Sequence, residues 1–178
     1  MEVPFDMSRS VAMALGEIGP DAKAGTPWLL ELLKDQKNDP LDPSGYDLRV
    51  QAALALWRIQ GNKEISLPVL RDAIKDPKGY GRVDAALGLW RMGEEKQKMM
   101  EFLLDMLKGK ENLSRKQESL ARFVRFQAAA ALGEIGPEAK AAVPFLIDLL
   151  GAKDDYRKSV PEALKKIDPE EAAKRGIK

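Results

Sequence analysis

The chain spells ALGEIGPDAKA from Ala14 to Ala24 and ALGEIGPEAKA from Ala131 to Ala141, eleven letters that differ by one acidic exchange. A phrase reproduced at such a distance marks a duplicated unit, and duplicated helical units bury their apolar faces on one another. With Leu15 and Leu132 as anchors, equivalent leucines stand at Leu56 in AALALWRI and Leu89 in AALGLWRM, and a shortened fifth copy, SVPEALKKIDPEEAAKR, carries Leu164. The anchors are 41, 33, 43 and 32 residues apart, the spacing of a helical repeat with two insertions.

Each copy predicts two helices. In the first, Ala12, Ala53, Ala86 and Ala129 fall three residues before the anchor, and Ile18, Ile59, Met92 and Ile135 three after it, which is one helical face. Gly19 and Gly136 occupy the position of a left-handed residue that ends a helix, and Pro20 and Pro137 prevent its continuation. The repeated phrase is therefore a helix stop. Twelve residues beyond the anchors, Pro27, Pro68, Glu101 and Pro144 open second helices, where proline's missing N–H costs nothing. In the last copy, Ser159 and Glu162 have capping-box spacing, and Asp168 with Pro169 starts a short polar helix suited to closing a stack.

Paired helices with ALGEIGP closing the first and VPFLIDLL forming the second resemble the bacterial HEAT-like repeats, including those of the phycobilisome lyase family. The resemblance runs from about Ser8 to Ile167 and implies an all-α fold, a short right-handed α–α solenoid (superhelix) of about five helix pairs. The copies lie near 8–35, 47–76, 82–109, 115–152 and 157–176 of a single domain, 1–178, with insertions at 36–47 and 109–120. The same repeats serve as scaffolds, bilin lyase subunits and DNA-alkylation-repair glycosylases, so they define fold more sharply than function.

Residue chemistry narrows the function. Cysteine and histidine are both absent among the 178 residues, which removes thiolate nucleophiles, Cys and His metal ligands and the commonest general base. No nucleophile and base pair stands out; Asp154 and Asp155 read as turn residues in a connector. With 29 Lys and Arg against 28 Asp and Glu, no global field draws the chain to nucleic acid or an anionic membrane. Neither a membrane-spanning stretch nor a signal peptide is evident, which predicts a cytoplasmic protein. These features predict a non-enzymatic scaffold with a protein partner, no cofactor and no metal. The alternative, implied by the resemblance, is a bilin lyase or chromophore chaperone; a glycosylase would want a basic concave face.

Two sets of residues are candidate partner contacts. The second helices align Glu31, Asp72, Asp105 and Asp148, with Lys34, Lys75 and Lys108 three residues later in three copies. Second helices line the concave face of HEAT-like arrays, so the resemblance implies a row able to receive a basic peptide; the alternative is a solvated face of acid and lysine pairs. The other set is the second insertion, where Lys108, Lys110, Arg115, Lys116, Arg122 and Arg125 against Glu111 and Glu118 give a local +4. The first insertion, with Asp39, Asp42 and Asp47 against Lys37, is locally −2. Both join a second helix to the next first helix and emerge on one edge, which often marks the binding side of a repeat array. Of these basic residues Lys110, Arg115, Lys116 and Arg122 are the stronger candidates.

Other recurring residues read as structural. Trp57 and Trp90 share a column with Gly16 and Gly133 and fill space between repeats rather than forming a stacking platform, and Trp28 is core. Arg49, Arg82 and Arg125 recur seven residues before their anchors, and Asp76 with Arg82 suggests an acid to arginine ladder. Ser114 and Gln117 fit a capping box, which predicts a long first helix from about Arg115 in copy four. Copy one opens abruptly after MEVPFD, so Val11 and Met13 are expected to lack cover unless Val3, Pro4 and Phe5 fold over them, as in a piece of a longer protein.

Overall fold

A computed structural model of the protein describes residues 5–34, 48–75, 81–109, 118–151 and 159–177. Every regular element among them is helical, so the fold is all-α as the periodicity predicts. The helices are α1 (Phe5–Ile18), α2 (Thr26–Lys34), α3 (Leu48–Gln60), α4 (Ser66–Lys75), α5 (Arg82–Arg91), α6 (Lys96–Lys108), α7 (Glu118–Ile135), α8 (Val143–Leu150), α9 (Ser159–Ile167) and α10 (Pro169–Lys174), with 3-10 turns at Gly19–Gly25 and Gly136–Ala142. They pack as two compact units, Met1–Glu94 and Glu95–Lys178.

The repeated phrase builds the same corner twice. α1 and α7 end because Gly19 and Gly136 take φ of +71° and +78°, a conformation that costs glycine little, and the prolines that follow start a 3-10 turn. Within each turn the buried alanine departs from helical geometry in the same way, Ala22 at φ −85° and ψ 19°, Ala139 at φ −86° and ψ 21°. Gly61 and Gly93 close α3 and α5 by the same left-handed device, without the proline.

The second helices depart from expectation in one copy. Pro27 and Pro144 sit second in α2 and α8, and Pro68 third in α4, but α6 starts at Lys96, five residues before Glu101. Copy three has no proline to mark a start, and its KQKMM run is built of good helix formers. The helix therefore extends back until Glu95, at φ +43°, breaks it. α1 likewise begins at Phe5 rather than near Ser8. α7, with 18 residues, is long as expected; Arg115 and the proposed box of Ser114 and Gln117 lie outside the described residues, as does Asp76.

The aligned columns form the cores. Ala12, Ala53, Ala86 and Ala129 are completely buried, as are Leu56, Leu132 and Leu164; Leu89 is nearly so, and half-buried Leu15 packs with Trp28 against the cluster of the first unit. Small residues let successive first helices meet backbone to backbone. A methyl added to Gly16 would lie 3.0 Å from Cα of Ala55, and one added to Gly133 would lie 2.7 Å from Cα of Ala163. Ser66, buried in α4, donates to the carbonyl of Ala53 in α3 at 2.7 Å and pins the two helices of copy two together. Val11 is exposed as expected, whereas Met13 is half-buried: it sits two residues from both Leu15 and Val11, and so on neither of their sides of α1.

At the C-terminal end Asp168 caps α10 by accepting the N–H of Glu171 at 3.0 Å, with Lys140 at 3.6 Å. The backbone hydrogen bond, aided by Lys140, holds the Asp168 carboxyl below its ordinary value of 3.8 despite partial desolvation. A depressed carboxylate stabilises the fold fully above that value, and its contribution declines as the pH falls through the lower folded-state value.

Four outcomes are expected. Leu56→Ala or Leu89→Ala lowers unfolding free energy by about 2–5 kcal/mol in urea titration; a loss under about 0.5 kcal/mol at both would show the anchors to be misplaced. Gly133→Ala destabilises by about 1–3 kcal/mol although alanine is the better helix former, because its methyl meets the α9 backbone. Gly88→Ala, whose methyl meets the side-chain tips of Leu54 and Leu70 rather than backbone, destabilises less than Gly133→Ala. Asp168→Asn removes part of the acid sensitivity of thermal unfolding as the pH falls below the ordinary carboxyl value of 3.8, flattening the curve relative to the parent; an unchanged slope would contradict the assigned cause.

Candidate partner-binding surface

The outward sides of the second helices follow from where their leucines go. Leu29, Leu70, Leu103 and Leu146 hold one register in α2, α4, α6 and α8, and all are completely buried. Two residues later come Glu31, Asp72, Asp105 and Asp148, rotated by about 200° at about 100° per residue. The acids therefore lie on the side away from the leucine: Glu31, Asp72 and Asp148 are exposed and Asp105 is half-exposed.

Three of the four acids meet a lysine of their own helix. Lys34 approaches Glu31 to 2.7 Å, Lys75 approaches Asp72 to 3.0 Å and Lys108 approaches Asp105 to 3.7 Å. Pairs this solvated contribute about 0–1 kcal/mol, so they balance charge more than they stabilise. Asp148 stands apart from the pattern, since the position three residues on is Gly151. Lys108 also places its ammonium 4.9 Å from the centre of the Phe145 ring, so its charge is shared between an acid and an aromatic face.

The basic set divides. Arg122 is exposed on α7, while Lys110, Arg115 and Lys116 lie outside the described residues. Arg125, counted with them by charge, turns inward: its Nε donates to the carbonyl of Leu107 at 3.1 Å and satisfies the C-terminal end of α6. Gly109, at φ +68°, leaves the room that this guanidinium occupies. Lys108 and Arg125 are thus engaged within the fold. Trp57 and Trp90 are half-buried, and Trp28 packs against the first core.

Some polar links were not picked out from the sequence. Gln51, buried in α3, donates to Asp84 of α5 at 2.6 Å; both stand five residues before their anchors, so aligned columns could have revealed them. Glu94, after α5, accepts from Arg71 of α4 at 3.0 Å and from Lys63 at 3.4 Å, and Lys63 also donates to the carbonyl of Met92. No spacing rule exposes that clamp, because its partners come from the loop before α4, from α4 itself and from the turn after α5. Among the described residues no group of three or more carboxylates could hold a metal ion, and no helix is long and apolar enough to cross a membrane.

No curated protein and no solved structure matches this chain. Residues 124–151, which run from within α7 through its closing turn to the end of α8, match the family model described as PBS lyase HEAT-like repeat. That match, on the copy whose closing phrase recurs in copy one, supports a HEAT-like repeat protein.

Proposed function

We propose that the protein is a non-enzymatic scaffold for protein–protein interaction, engaging its partner through the charged outward sides of the second helices or the edge that carries the insertions 36–47 and 109–120. One observation supports this reading above others: in the first four copies the second helices commit the same leucine to the core and return an acid to the outward side. Within each unit, such an outward charged side suits a charged segment of a partner. Of the two charge sets we favour the basic one. Lys110, Arg115, Lys116 and Arg122 gather four positive charges within a short stretch of a nearly neutral chain. The partner then presents an acidic segment. A bilin lyase or chromophore chaperone subunit is the second reading, favoured by the description of the matched family model.

Reversal of Arg115, Lys116 and Arg122 to Glu is expected to leave the helical circular dichroism intact and to weaken capture of the partner from extracts of the source cell. Wild-type capture should fade with salt, since exposed charges are screened over about 8 Å at physiological ionic strength. If only neutralisation of Glu31, Asp72, Asp105 and Asp148 to Gln and Asn weakens capture, the partner is basic and lies on the second helices. Capture indifferent to both sets would overturn a charge-read scaffold, and blue absorbance with induced circular dichroism on adding a bilin would favour the lyase reading.

A further inference from the structure

The first helices carry a second regularity, on the side away from the following copy. Counted from the anchor leucine, the positions four before, one before and three after are Val11, Ala14 and Ile18 in α1. In copies two to five the residues at all three positions are buried. In copy one all three are exposed, Val11 by 41% and Ile18 by 58%. A lone exposed valine is ordinary; a whole register of positions that is buried in the other copies and open in one is not.

The contacts show what buries that register elsewhere. Gly16 of α1 lies against Ala55 of α3, and Gly133 of α7 against Ala163 of α9, with Ala55 and Ala163 each one residue before its anchor. In both cases the cover is the preceding copy's first helix, crossing at a glycine. Ala14 is the counterpart of Ala55 and Ala163. It lies two residues from Gly16, about 160° around the helix at about 100° per residue. α1 therefore covers α3 with one side and leaves the receiving side of the same interface open.

We propose that this open side of α1 docks the first helix of a HEAT-like helix pair supplied by another protein, an amphipathic helix with glycine or alanine where it crosses Ala14. The site continues an interface the chain already makes twice, so its chemistry and crossing point follow from those two examples. A second copy of the chain fits less well. Its glycines at Gly16 and Gly133 are already covered by Ala55 and Ala163, and the matching position of the last copy is Lys165.

The test uses a fluorescent peptide of residues 118–136, which is α7 with its closing glycine and free of α9, titrated with the full chain and read by anisotropy. Saturable binding is expected. Ala14→Arg in the chain, Ile18→Asp in the chain, or Gly133→Leu in the peptide should each weaken it by at least about tenfold, because each places a charge or bulk in a closely packed, dehydrated contact. Both chain variants alter exposed positions, so their circular dichroism should match the parent. Absence of saturable binding, or binding indifferent to Ala14→Arg and Ile18→Asp, would overturn the proposal. Sedimentation of the chain alone supplies the other arm: a concentration-dependent dimer abolished by Ala14→Arg would give the face to a second copy instead.

Discussion

The close approach of successive first helices is the constraint on which the packing within each unit depends. A side chain on Gly16 or Gly133 would press into the backbone of the next first helix at Ala55 or Ala163. Because the neighbour there is main chain, it cannot swing aside as a long side chain would. The alanine column three residues before the anchors is buried completely in every copy that has it, while Leu56, Leu89, Leu132 and Leu164 beside it supply bulk to the core. Small residues at helix contacts bring axes together and strengthen the dispersion contacts around them, at the cost of offering little apolar area of their own. The leucines of the second helices supply that area.

The left-handed glycines set the other half of the geometry. A second helix can return along the first only if the chain reverses within a few residues, and Gly19, Gly61, Gly93 and Gly136 allow this at positive φ. In the two copies with proline the reversal is further defined, since Ala22 and Ala139 reach nearly identical backbone angles although they lie three copies apart in the chain. Identical letters give identical torsions here because the turn is stabilised locally, by glycine, proline and one buried alanine, rather than by whatever packs around it.

That locality explains what could be read from letters alone. The helix stops, the buried leucines and the outward acids depend on residue type and helical period, and the sequence displays all three. The start of α6 could not be read, because copy three replaces a proline with ordinary helix formers and the helix ends only where Glu95 adopts positive φ. Arg125 looked like part of a basic cluster by charge count. It caps α6 because α7 brings it against the carbonyl of Leu107, a tertiary fact with no signature in spacing. Met13 looked exposed by its place near the chain start, yet its angular position on α1 gives it cover, while Ala14 and Ile18 go without.

The polar contacts answer a question the apolar columns leave open. Alanine and leucine columns are nearly the same in every copy, so they would accept several registers or orders of stacking with similar energy. The column five residues before the anchors is different in each of the first three copies: Ser10, Gln51 and Asp84. Gln51 donates to Asp84 across two copies from a buried position, and an amide left unpaired there would cost about 1–3 kcal/mol. The clamp of Lys63 and Arg71 on Glu94 adds a second link between the same two copies, at the far end of α5. Two polar links that fit only one alignment of copy two on copy three penalise a slipped stack more than they strengthen the correct one. In the first unit, then, apolar columns supply most of the adhesion, and a few unlike polar residues decide which copy lies beside which.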